Sequence, residues 1–226
     1  MKKNLQAIHP NDDIHYKKFK MKKDEISQWE DGLRTNNESG TYEWWYFDTH
    51  LNDGSIIVVV FYTKSPINPN GDIKPYVTFE LTNPDGFTHK ETVYVPVEEC
   101  EFSKECCNVK IGKSYIIGDL KNYKIHFENE NVQADISLEG TVPAWRSKCG
   151  SILFGNQEEY EFAWLPAVPE GNVKAEVTVN GKKKNYEGYG YHDHNWGNVS
   201  ILKLMNNWYW GCLLYTSDAA DEEFAV

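Results

Sequence analysis

Tyr42-Glu43-Trp44-Trp45-Tyr46-Phe47-Asp48-Thr49-His50, then Asn52-Asp53-Gly54, then Ile56-Ile57-Val58-Val59-Val60-Phe61-Tyr62-Thr63 reads as two strands folded around a tight turn. Aromatic and β-branched residues favour the extended backbone, and Asp-Gly supplies the positive φ angles that a hairpin turn needs. Side chains alternate across a strand. Tyr42, Trp44, Tyr46 and Asp48 therefore share one face, and Glu43, Trp45 and Phe47 share the other. Both faces are largely aromatic, so this strand is expected to be covered on both sides.

Outward from that hairpin the same period continues. Tyr76 to Leu81 and Thr88 to Val95 flank the turn Asn83-Pro84-Asp85-Gly86. Tyr123-Ile125-Phe127 and Val132-Ala134-Ile136-Leu138 alternate around Asn129-Glu130-Asn131. Tyr160 to Val168, Val173 to Val179 and Lys184 to Tyr191 follow, the last two joined by Asn180-Gly181. Together these make about nine or ten strands, which is the pattern of an all-β antiparallel barrel or sandwich. Only Lys23 to Leu33 hints at a helix.

Composition narrows the function classes. The net charge of −11 argues against nucleic-acid binding, which needs a basic face. No apolar run approaches the roughly 20 residues that span a bilayer. The first residues are locally basic (Lys2, Lys3, Lys17, Lys18, Lys20, Lys22, Lys23), either a solvated leader or an arm able to touch anionic lipid weakly. No apolar segment follows Lys2 and Lys3, so a secretory signal is absent and a cytoplasmic location is expected. The 5 cysteines, Cys106 and Cys107 being adjacent, fit reduced thiols and no metal-ligand spacing. With 8 Trp, 14 Tyr and 10 Phe, the chain has enough rings to fill a barrel or to wall a pocket for an apolar ligand.

Two segments could carry chemistry. Glu43, a carboxylate among rings, is a candidate proton donor, or else ties the barrel together by pairing with a buried donor. In Tyr189-Gly190-Tyr191-His192-Asp193-His194-Asn195-Trp196-Gly197, the residues His192, His194 and Trp196 share one face, with Tyr189, Tyr191 and Asp193 on the other. That segment admits a metal site, an acid–base pair of Asp193 with a neighbouring imidazole, or a polar clasp closing the barrel. A metal would need a third ligand from Asp48, His50 or Glu43. No metal and no cofactor is assigned.

These blocks, with Phe162-Ala163-Trp164-Leu165-Pro166-Ala167-Val168-Pro169 between them, recur in the same order in a known family. Over residues 40 to 211 the chain resembles the carotenoid 1,2-hydratase (hydroxyneurosporene synthase) and AttH-type proteins, whose wider relatives include kievitone hydratase and decalin-forming Diels–Alderases. The resemblance implies two lipocalin-like barrels in tandem, this chain holding the first. It also implies acid catalysis on an alkene of a polyene, terpenoid or polyketide-type substrate, in a hydratase or isomerase-like protein. His194, Asp193, Trp196 and Glu43 become the catalytic candidates, with Trp44, Trp45, Tyr46 and Tyr191 as cavity wall. The alternative from another class is a non-catalytic carrier of an apolar small molecule. Cys212 to Glu222 reads like a translated sequencing adapter, so the expected organisation is a basic lead-in, partly disordered, at 1–40, the barrel at 41–211 and a non-native tail at 212–226. On that reading the partners of the Asp-His-Asn-Trp-Gly block lie downstream, and whether the chain is an active enzyme alone stays open.

Overall fold

The computed structural model describes residues 6–36 and 38–207, and the tail from Cys212 lies outside them. Its strands are β1 (Ala7–Ile8), β2 (Tyr42–Leu51), β3 (Ile56–Tyr62), β4 (Tyr76–Thr82), β5 (Thr88–Tyr94), β6 (Cys100–Phe102) and β7 (Cys107–Ile111). They continue with β8 (Ser114–Gly118), β9 (Asn122–Glu128), β10 (Val132–Gly140), β11 (Ser151–Phe154), β12 (Tyr160–Val179) and β13 (Lys182–Gly197). Two short helices, α1 (Asp13–Phe19) and α2 (Ile201–Leu204), flank the sheet.

All strands belong to one antiparallel sheet with the order β5-β4-β3-β2-β13-β12-β10-β9-β8-β7-β6, and β11 pairs with β12 and with β1. Successive hairpins produce most of that order. The exception is β13, which returns to lie between β12 and β2 and so joins the two halves of the sheet. Gly181 and Asn180 both take positive φ, 76° and 49°, the combination that the β12–β13 turn requires. At the first hairpin Gly54 has φ 84°, and the Ser55 amide donates to Asp53 Oδ1 at 2.9 Å.

The sheet curls so that its concave side is filled by its own side chains. Trp45, Phe47, Ile57, Val59, Phe61, Val77 and Phe79 come from one half, and Ile111, Ile116, Ile125, Phe127 and Leu138 come from the other. Phe79 and Phe127 stack across the interior at 5.1 Å. Edge strands β5 and β6 are not paired with each other. Glu91 on β5 instead accepts from the Asn129 and Asn131 side chains at 2.8 and 3.2 Å, which draws the open seam together.

The sequence expectation needs three corrections. The described residues form 13 strands rather than nine or ten, because β6 to β8, β11 and the two-residue β1 were not anticipated. Residues 160–168 and 173–179 form one strand, β12, which passes Pro166 and Pro169 by register shifts between Pro166 and Val168 and between Val168 and Gly171. Lys23 to Leu33 is not an α-helix: it holds only a 3-10 turn at Gln28–Asp31, and the helix lies earlier, at α1. A capping interaction places it there, since the Asp12 carboxylate accepts from the His15 amide at 2.9 Å.

Candidate functional site

Strands β2 and β13 run side by side in the register Glu43↔Trp196, Trp45↔His194, Tyr46↔Asp193, Phe47↔His192 and Asp48↔Tyr191. Every nominated residue is therefore on one seam, divided by the pleat into an inner and an outer group.

On the inner face, Glu43, Trp45, His194 and Trp196 come together. His194 is sandwiched between Trp45, stacked at 4.5 Å, and Trp196 at 5.0 Å. Its Nε2 donates to Glu43 Oε1 at 2.7 Å. That oxygen also accepts the Arg34 amide at 2.7 Å, and Glu43 Oε2 accepts the Thr35 amide and hydroxyl at 2.9 and 2.8 Å. Both Glu43 oxygens are thus engaged, and the carboxylate clips the loop before β2 onto the barrel mouth. His192 donates from Nδ1 to the Tyr46 carbonyl at 2.8 Å, and its Nε2 lies 3.3 Å from Asp31 Oδ2. Burial opposes charge on His192, but the Asp31 carboxylate raises its pKa overall. Tyr123 also donates to Asp31, at 2.5 Å.

Of the third ligands considered for a His192–His194 metal pair, Asp48 lies on the opposite face and His50 is exposed, while Glu43 is bonded to His194 Nε2 at 2.7 Å. Asp31 is also near, its Oδ1 3.5 Å from His194 Nδ1, and neither of those buried atoms has a hydrogen-bond partner among the described residues. Asp31, Cys107 and His192 also bring ligand atoms within 4.8 Å of one another. Asp31 Oδ2 is already shared by Tyr123 and His192, and burial pushes the Cys107 thiol pKa up. The arrangement reads as a hydrogen-bonded core cluster.

The outer face gathers Tyr46, Asp48, Tyr191 and Asp193, with Trp44 farther along β2. Asp193, 4% exposed, accepts from Tyr191 at 2.7 Å, from the Trp164 indole at 2.8 Å and from the Asn195 amide at 2.6 Å. Burial pushes its pKa up against the pull of those donors. Asp48, 5% exposed, accepts from Tyr46 at 2.9 Å, and its buried Oδ1 has no hydrogen-bond partner among the described residues. Burial raises Asp48 to about 6, and the Asp193 charge adds to the rise. Rings surround the two carboxyls: Tyr46 and Tyr191 meet edge-on at 6.3 Å, Trp164 is half-exposed, and Trp44 leans on Tyr62 and Phe162.

Sequence reasoning placed each nominated residue on its correct face but took His194 and Asp193 as neighbours in one site. The pleat points them to opposite sides of the sheet. Asp48 was considered only as a metal ligand, although its spacing from Tyr46 was a readable signal of their contact. Asp31 and Arg34 had no signal, because a loop placed them. The large cleft of about 750 Å³ between the lead-in and the loops around Gly140 to Arg146 contains none of the nominated residues.

An open antiparallel barrel of this topology is a lipocalin-like fold. The chain belongs to the Diels-Alderase-like family, whose model matches residues 4–210. It is similar to hydroxyneurosporene dehydrogenase of Chlorobaculum tepidum, 23% identical over 76% of this chain and 53% of that protein. Among solved structures it resembles an AttH-type protein from Nitrosomonas europaea, with TM-score 0.62 and 16% identity over 80% of this chain and 57% of the other. Kievitone hydratase from Nectria haematococca follows, with TM-score 0.50 and 18% identity over 74% of this chain and 50% of that one. The chain thus spans about half the length of the relatives it matches. No helix among the described residues is long and apolar enough to cross a membrane.

Proposed function

We propose that this chain contributes the acid-bearing half of a hydratase or isomerase-like enzyme, which protonates an alkene of an apolar polyene, terpenoid or polyketide-type substrate laid against the outer β2–β13 seam. The observation that carries this is Asp48, a carboxyl raised to about 6 with a buried, unpartnered oxygen among aromatic rings. A carboxyl with a pKa near 6 keeps a protonated fraction near neutral pH that can donate, and ring faces stabilise the positive charge that results.

In a hydration, the Asp48 proton and the alkene π pair form a C–H bond, leaving a tertiary cation on the neighbouring carbon. Water forms the C–O bond, and its proton passes to a carboxylate, giving net addition of water. Asp193 is the proton acceptor in this scheme, since its several donors favour the anion where Asp48 has one. Trp44, Tyr46 and Tyr191 form the wall. Glu43, His194 and Trp196 act from the inner face as positioning residues that hold β2 and β13 in register.

Reaction in deuterated water tests this directly. An acyclic polyene such as squalene, offered to the chain, is expected to gain one non-exchanging deuterium per hydrated double bond, with D48N and D193N each losing at least 100-fold in rate. Saturable binding without deuterium uptake would favour the carrier reading, and conversion unchanged in both variants would exclude these carboxyls.

A further inference from the structure

Arg34 presents a second problem, on the opposite side of the seam. Its guanidinium stacks on Trp29 at 4.2 Å and approaches Trp196 at 6.0 Å. Its Nε is buried and has no hydrogen-bond acceptor among the described residues. Buried polar groups nearly always have partners, and a guanidinium carries five N–H donors in a planar fork, so this one is missing its acceptor. The side chain does not lie there by chance of a loose loop. Its own amide and the next are fixed on Glu43, and the preceding Asp31 carbonyl accepts from the Trp45 indole at 2.9 Å.

The guanidinium borders a cavity of about 260 Å³ whose wall is divided by chemistry. Phe19, Met21 and Trp196 give it an apolar side; Thr41 and Asn198 supply polar groups. Glu161 also lines it, and its carboxylate accepts from Ser151 at 2.5 Å.

We infer that this cavity is a binding site for the carboxylate of a small acid with an apolar tail, held by Arg34. A planar carboxylate matches the guanidinium fork with two parallel hydrogen bonds. The guanidinium already stands in the field of the Glu43, Glu30 and Glu161 carboxylates, in a chain of net charge −11, which suits a monoanion better than a dianion such as phosphate. The apolar wall accounts for the tail. Trp196 borders this cavity and touches His194 on its other side, so occupation here would be felt along β13. The inference is independent of the Asp48–Asp193 reading.

Titration of the whole chain with hexanoate, hexan-1-ol and inorganic phosphate, followed on the Arg34 Nε–H resonance and by calorimetry, tests it. Hexanoate is expected to shift that resonance saturably and to bind at least ten-fold tighter than hexan-1-ol or phosphate. R34Q should abolish the preference while R34K retains part of it. Equal affinity for hexanoate and hexan-1-ol, tighter binding of phosphate, or an unmoved Arg34 resonance would overturn the proposal. The resonance in the unsubstituted chain decides the matter even where R34Q does not fold.

Discussion

Asp48 contributes unfavourably to stability at neutral pH, and the sign follows from its shift. Its folded-state pKa, about 6, exceeds the ordinary 3.8, so the folded state binds this proton more tightly than the unfolded chain does. The stabilisation is complete below about 3.8 and is lost as pH rises through about 6. On the order of 2–3 kcal/mol is involved. D48N, which cannot ionise, is therefore expected to raise the melting temperature at pH 8 relative to the parent and to give no such gain at pH 4. Thermal melts at the two pH values check this. Activity should follow the same proton, falling as pH rises through about 6 in a pH–rate profile. At this scale the sequence was partly legible. Alternation alone put Tyr191 and Asp193 on one face and His192 and His194 on the other. It could not show that Asp31 enters the inner cluster from a loop, nor that Glu43 would be occupied by loop amides, because both depend on where the chain doubles back.

The β2–β13 pair is held at close range by glycine. A Cβ at Gly188 would collide with the His50 carbonyl oxygen and the Leu51 Cα, backbone atoms that cannot turn aside. G188A is expected to cost about 1–3 kcal/mol, measured by denaturant unfolding, by forcing the two strands apart. It should also disturb the Asp48–Asp193 pair, since Gly190 and Tyr191 follow directly on β13 and pair with Thr49 and Asp48. Most strands on this seam were readable, because Asp-Gly and Asn-Gly turns punctuate clean alternation. β6 to β8 are short and amphipathic in fewer residues, although the buried Cys107, Val109 and Ile111 alternate with exposed Asn108 and Lys110. β12 was read as two strands parted between Val168 and Val173, around Pro169, whereas in the sheet register shifts carry one strand past both Pro166 and Pro169.

Across the molecule, the lead-in is joined to the barrel by Arg146. Its Nε donates to Glu30 at 2.7 Å, its Nη2 to the Lys22 and Glu25 carbonyls at 2.5 and 3.0 Å, and its Nη1 to the Lys148 carbonyl. Arg146 and Glu30 are both buried, so removing one strands the other's charge. R146A is expected to cost about 3–5 kcal/mol and to expose residues 6–36 to limited proteolysis. Composition argued against a nucleic-acid partner and pointed to rings around an apolar ligand, but it could not show that the rings of the β2–β13 seam divide between the packed inner face and the outer face. That geometry makes the protonation state of Asp48 the point on which the proposed chemistry turns. The direct measurement is a carbon-13 NMR titration of the side-chain carboxyls, with D48N identifying the Asp48 signal by its loss. A midpoint near 6 is the expected result, and a midpoint at or below 3.8 would contradict the assignment of Asp48 as proton donor.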